Sequence, residues 1–308
     1  MGEKSKFIGE TGEKTVENFL KIIGWVNASK GSEFPCFDKN NHNKERTHGL
    51  DFYFNYVSPL VDGVLKKINI SVKFTDKLYP SSPGEMFKKH FVDLVESMEC
   101  FRFSENYKSI TNSISEYYNT SDNIGVLFWL SNKNSVNDEI TSKLSSAILP
   151  KIYNYDTIYL VDNKKLEFIY SSISYAKNIN SNFDLKFFYQ DTGKNINPMM
   201  KKYYGDILPV EFINSSVLPM RLEDPISNST KLVLTCIDSF NIDDLKKLIS
   251  LAQELTKSWP SDIIIGFPDY NEINHSKDVV IAKLAFESNF TKKLNVVSFY
   301  PNSKSLQS

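Results

Sequence analysis

The chain has 308 residues, 41% of them hydrophobic and 13% aromatic, with 36 Lys and Arg against 37 Asp and Glu for a formal charge of −1. That composition supports one large or two smaller packed α/β domains, and it excludes a globally basic nucleic-acid binder, so any phosphate-binding surface has to be local. Three dispersed cysteines exclude a disulfide framework, and the polar start Met1-Gly2-Glu3-Lys4 leads into no apolar span of roughly 20 residues, so a cytoplasmic protein away from the membrane is expected.

In chain order, Val16, Phe19, Leu20 and Ile23 recur at helical spacing over 11–24, and Gly24 followed by Trp25 marks a helix stop. Residues 27–49 are polar and carry Gly31 and Pro35, which predicts a long loop with a short strand around 34–37. Residues 51–57 have strand character, and in 68–75 Ile68, Ile70, Val72 and Phe74 alternate with Asn69, Ser71, Lys73 and Thr75. A Pro- and Ser-rich break at 79–84 precedes a helix over 85–100 with Phe87, Phe91, Leu94, Val95 and Met98 on one stripe.

Further on the pattern predicts a strand at 124–130, a helix at 138–149 and a hairpin of 157–161 with 166–170 about Asp162-Asn163. Residues 175–182 read as a linker. Strands are expected at 186–189, 208–213, 232–237, 263–267 and 296–299, with an amphipathic helix over 242–257. The alternation argues α/β architecture, divided as 1–105, an extension 106–178 and a C-terminal region 179–308.

Only one constellation suggests a reaction. Glu13 lies about 70° from the centre of the first helix's apolar stripe, against about 110° for Glu17 and 130° for Glu10, so it is the best placed to reach inward. Asp51 opens one strand, while Ser71 and Lys73, two apart, share a face of the next. Taken singly, each has an ordinary reading: a first-turn acid, a strand-entry turn residue, a solvated lysine.

Together, Gly9-Xaa3-Glu13, His48-Gly49-Leu50-Asp51 and Ile70-Ser71-Val72-Lys73 resemble the PD-(D/E)XK nuclease superfamily over residues 7–100, particularly its Holliday-junction-resolvase and Mrr-like branches. The resemblance implies a restriction-endonuclease-like fold, DNA as substrate and Mg²⁺ as cofactor. It implies Asp51 and Glu13 as metal ligands and Lys73 as the residue that positions or deprotonates water. His48, just ahead of Asp51, is a candidate phosphate contact. Ser71 stands where the family has a second carboxylate. Some members with a Ser-Xaa-Lys strand recruit a glutamate from the following helix, which singles out Glu85, although it projects about 136° from that helix's stripe. The alternative is a catalytically inactive member that binds DNA or scaffolds an active partner.

The run Gly205-Asp206-Ile207-Leu208-Pro209-Val210 and the 242–257 helix also resemble nuclease-like subunits of bacterial two-gene antiphage systems, implying a second protein subunit or a homodimer. Cys36, His42 and His48 invite a zinc reading, but their five-residue gaps fit no finger and the loop offers no fourth ligand, so zinc is not expected. Residues 188–195 lack the glycine spacing and Ser/Thr of a phosphate loop.

Overall fold

Helix α1 (Gly2–Ile22) buries Val16, Phe19 and Leu20, with Ile23 buried just past its end to complete the stripe that the spacing predicts, and Gly24 follows with a φ of 84° that only glycine adopts readily. The structure is a computed structural model that describes residues 2–42, 47–150, 153, 155–179, 182–195, 201–256 and 259–300. Arg46, the linker positions 180 and 181, and Lys257 of the predicted amphipathic helix lie outside the described residues. Two compact units divide the chain, one of residues 1–167 with 192–199, the other of 168–191 with 200–308.

The N-terminal unit is built on a five-stranded sheet in the order β1-β2-β3-β4-β5: β1 (Ser29–Pro35), β2 (Thr47–Val57), β3 (Val64–Thr75), β4 (Thr120–Ser131) and β5 (Thr157–Val161). The first three are antiparallel neighbours, and β4 and β5 add in parallel. Helix α2 (Gly84–Phe101) lies on one face and α1 on the other, as alternation in β4 records: Phe128 meets Phe19 of α1, whereas Trp129 stacks on Phe87 of α2. A short helix α3 (Glu105–Asn112), which the spacing does not predict, follows α2.

Several predicted elements differ. Residues 138–149 form only a short 3₁₀ turn at Thr141–Leu144, because the Asp162 carboxylate takes the amides of Ile140 and Thr141 and the Asp138 carboxylate takes that of Ser135, so side chains compete with helical bonding. The expected hairpin about Asp162-Asn163 is instead a helix start. Asp162 accepts from the amide of Lys165 and caps α4 (Asn163–Ile179), so 166–170 and the predicted linker residues 175–179 are helical.

The C-terminal unit takes Phe168–Ile179 of α4 and a six-stranded sheet in the order β11-β10-β9-β8-β6-β7. Its strands are β6 (Asp184–Phe188), β7 (Tyr204–Gly205), β8 (Val217–Glu223), β9 (Thr230–Cys236), β10 (Asp262–Phe267) and β11 (Leu294–Ser298). Helix α5 (Ile242–Thr256) packs on β9 and β10 beside α6 (Glu272–Lys283), and a single turn, α7 (Ser288–Thr291), leads into β11. The predicted strand at 208–213 is a 3₁₀ turn, since Pro209 opens it and the buried Val210 and Ile213 repeat every three residues. Strand β8 escapes sequence detection because of Pro219. Pro219 pairs with Leu234 of β9, while β6 pairs only from Met220 onward, so the missing N–H falls beyond the β6 ladder.

Gly12 sets how closely α1 approaches the sheet. A β-carbon there would sit 2.3 Å from the Phe74 β-carbon and 2.7 Å from its γ-carbon. Gly12→Ala gains about 1 kcal/mol of helix propensity but forces backbone apart at the α1–β3 contact, an overpacking cost of about 1–3 kcal/mol. A net loss of stability is expected in denaturant unfolding; an unchanged or higher midpoint would show that α1 can slide freely over β3.

Candidate active site

The β2–β3 ladder stops short of the strands' ends. Its last registered pair is Phe52 with Ile70, and beyond it the Asp51 carboxylate, not a β2 carbonyl, accepts the Val72 amide at 2.6 Å. Opposite Asp51, between the pairs Lys30–Phe52 and Ser32–Leu50, β1 carries Gly31 with φ 62°. The local distortion therefore coincides with the point where β2 and β3 part. One carboxylate is thus placed at the mouth of a wedge between two strands, held by a backbone donor rather than by a flexible side chain.

Ser71 and Lys73 lie on the α2 face of β3. The Ser71 hydroxyl stands by the Asp51 carboxylate and favours its charged form, and the Lys73 ammonium is 2.5 Å from Asp93 Oδ2 on α2. Glu13 approaches from α1, close enough that its charge and that of Asp51 oppose each other, and Lys30 stands 4.0 Å from its carboxylate. Burial pushes the Asp51 carboxyl above the usual carboxylate range, and the charge of Asp93 adds to it; the Val72 amide, Lys73 and Ser71 pull the other way. Glu13 is raised for the same reasons, burial first and Asp51 second. His90, one turn before Asp93 on α2, is pushed down to about 4 by burial and by the charge of Lys73, so it is neutral at pH 7. Its ring lies edge-on to Trp129.

The structure thus brings Glu13, Asp51, Ser71 and Lys73 together, and adds two residues absent from the sequence reading, Asp93 and His90. It does not bring in Glu85. That residue is exposed at the start of α2, eight residues and about 12 Å of helix from Asp93. His48 is 1% exposed and packed among Cys36, His42 and Cys100, so it faces no solvent-borne phosphate. No spacing rule would have selected Asp93, because it projects about as far from the apolar stripe of α2 as Glu85 does.

Asp51 is a hard oxygen donor opposed on one side by the charge of Asp93, and Glu13 in turn is opposed by Asp51, so added positive charge at Asp51 relieves both pairs. Mg²⁺ binds through one or two carboxylates and keeps several waters, so the donor set fits it without a closed protein cage.

A helix, three antiparallel strands parting at an aspartate, a lysine just beyond that fork, a second helix and parallel strands define a PD-(D/E)XK nuclease domain. The family model of the GAPS4 protein PD-(D/E)XK nuclease domain matches residues 1–165, more than half of the 308-residue chain, and the chain belongs to that family. No curated protein and no solved structure matches it.

The raised Asp51 carboxyl has a stability consequence. A folded value above the unfolded one contributes stability that is full below the unfolded value and lost as pH rises through the folded one. Once deprotonated, Asp51 therefore weakens the metal-free fold. Asp51→Asn, which keeps an acceptor for Val72, should melt at a higher temperature than the wild type when both are scanned at pH 7 in chelator. A lower melting temperature would mean that the Lys73 and Val72 contacts outweigh burial.

Proposed function

We propose that the chain hydrolyses DNA phosphodiesters with Mg²⁺, as a subunit of a bacterial antiphage complex. The observation that carries this reading is Asp93: it brings to Lys73 the carboxylate that Ser71 leaves out of β3. That favours an active centre over an inactive scaffold. Bound among these carboxylates, Mg²⁺ would supply Lewis-acid polarisation of the phosphoryl group and a more acidic water.

The chain's own residues supply the rest. Asp51, fixed by Val72 beside Ser71, offers a carboxylate in one orientation, and Glu13 closes the α1 side. Lys73, held by Asp93, points an ammonium at the position of the attacking water and of the phosphoryl oxygens, where it offsets the charge that grows as the water oxygen bonds to phosphorus and a P–O ester bond breaks. His90, neutral at working pH, adds no further positive charge that would compete for the acids.

Assembly is supported by what the second unit lacks. Its sequence carries no constellation of acid, base, nucleophile or phosphate loop, and a large region without chemistry more often serves recognition. The near-neutral total charge agrees, since a lone non-specific nuclease needs a clearer basic surface. No helix among the described residues is long and apolar enough to cross a membrane.

Cleavage of linear and circular DNA with Mg²⁺, against chelator, tests the activity. Asp51→Ala, Lys73→Ala and Asp93→Ala should each reduce the rate on the order of 10²- to 10³-fold, and Glu85→Ala should cleave like the wild type. Full activity in Asp93→Ala, or none in the wild type with its partner present, would sink the reading.

Light scattering of the chain alone and co-expressed with the neighbouring gene product tests assembly, with a complex or a dimer expected. A monomer in both samples that cleaves fully would mark an autonomous enzyme.

A further inference from the structure

Cys36, His42, His48 and Cys100 are all buried, at 5%, 6%, 1% and 1% exposure, and their ligand atoms lie within 4.8 Å of one another. They come from four separate places: just past β1, the loop that follows, the start of β2 and the last turn of α2. His42 Nδ1 is 3.4 Å from Cys36 Sγ, 3.4 Å from Cys100 Sγ and 3.3 Å from His48 Nε2, and the two sulfurs are 4.0 Å apart.

Hydrogen bonding does not account for this. A ring nitrogen has one proton or one lone pair, so His42 Nδ1 satisfies one of those three neighbours and leaves the others crowded against it. A disulfide does not account for it either, since 4.0 Å is about twice an S–S bond and both cysteines are free. A tetrahedral ion does. With Zn–S of about 2.3 Å and Zn–N of about 2.0–2.1 Å, the S···S, S···N and N···N edges of the tetrahedron are about 3.8, 3.6 and 3.4 Å. Of the six observed edges, the S···S edge is 4.0 Å, the two S···N edges to His42 are 3.4 Å, the N···N edge is 3.3 Å, and the two from His48 to the sulfurs lie within 4.8 Å.

We infer that Cys36, His42, His48 and Cys100 hold one structural Zn²⁺. Two thiolates and two imidazoles in tetrahedral array select zinc over the hard cations that suit the carboxylate centre. Four protein ligands close the site, which makes it structural rather than catalytic. The surroundings match. His42 Nε2 is 3.2 Å from Glu99 Oε2, the carboxylate partner that fixes a ligating imidazole, and the Phe37 amide donates to Cys100 Sγ at 3.4 Å, as an amide does to a thiolate.

The inference is independent of the nuclease reading, but the two sites share supports. His48 lies three residues before Asp51 on β2, and Cys100 seven after Asp93 on α2. The ion therefore pins together the two elements whose relative position sets the carboxylate spacing.

The test is a metal count on the untagged full chain after gel filtration in EDTA. About one zinc per chain is expected for the wild type, Cys236→Ser and Asp51→Ala, with loss in Cys36→Ser and Cys100→Ser. Asp51→Ala separates this site from the carboxylate centre, because it abolishes cleavage on the proposed reading yet keeps the zinc. Should the two ligand variants fail to fold, the cobalt-loaded wild type decides, with thiolate-to-cobalt charge transfer and strong tetrahedral d–d bands expected. A folded wild-type chain without zinc, a Cys36–Cys100 disulfide in its intact mass, or zinc retained by both ligand variants overturns the assignment.

Discussion

The hydrogen bond from the Val72 amide to the Asp51 carboxylate is the contact on which the centre depends. A sheet normally satisfies its amides within the ladder, and a strand pair that parts leaves donors that need other acceptors. Here a charged side chain takes the place of the missing carbonyl. The same bond ends the ladder and orients the carboxylate, so the distortion and the chemistry have one cause. Ser71 and Lys73 then follow from alternation along β3, and Glu13 from the close approach of α1 that Gly12 permits.

Burial works against that arrangement. Asp51 and Glu13 are both held above their ordinary values, although Lys73 stands by Asp51 and Lys30 by Glu13. Such a cluster weakens the metal-free fold and becomes favourable only with added positive charge. That asymmetry is the physical signature of a site whose residues serve something other than stability.

Much of this was legible in the sequence, and the limits are specific. The α1 stripe and the alternation of β3 are local periodicities, and they placed Glu13, Ser71 and Lys73 correctly in their elements. Asp162-Asn163 shows local ambiguity, since the same residues that turn a hairpin also cap a helix, and only the tertiary use of both Asp162 oxygens decides. Asp93 was illegible for another reason. It lies about as far from the apolar stripe of α2 as Glu85 but on the other flank, about 80° around the helix, and only the docking of the helix on β3 decides which of the two meets Lys73. Cys100 was missed in the same way, being 52 residues along the chain from His48 yet in one cluster with it.

These two misses have a common origin that bears on Ser71. A carboxylate on β3 would be positioned by the strand itself, two residues from Lys73 on a rigid ladder. Moving it to α2 makes the centre depend on how a helix docks on a sheet, a contact of apolar side chains that fixes height above the sheet better than position along the axis. Lys73 and Asp93 alone give one partly exposed ion pair, weak as a positional restraint. The four-ligand cluster at the far end of the same helix joins α2 to the strand that carries Asp51, and a zinc held there would be directional where packing is not. With serine on β3 and the acid on α2, the geometry of the centre rests on where that helix docks, and the proposed zinc would fix its far end against β2.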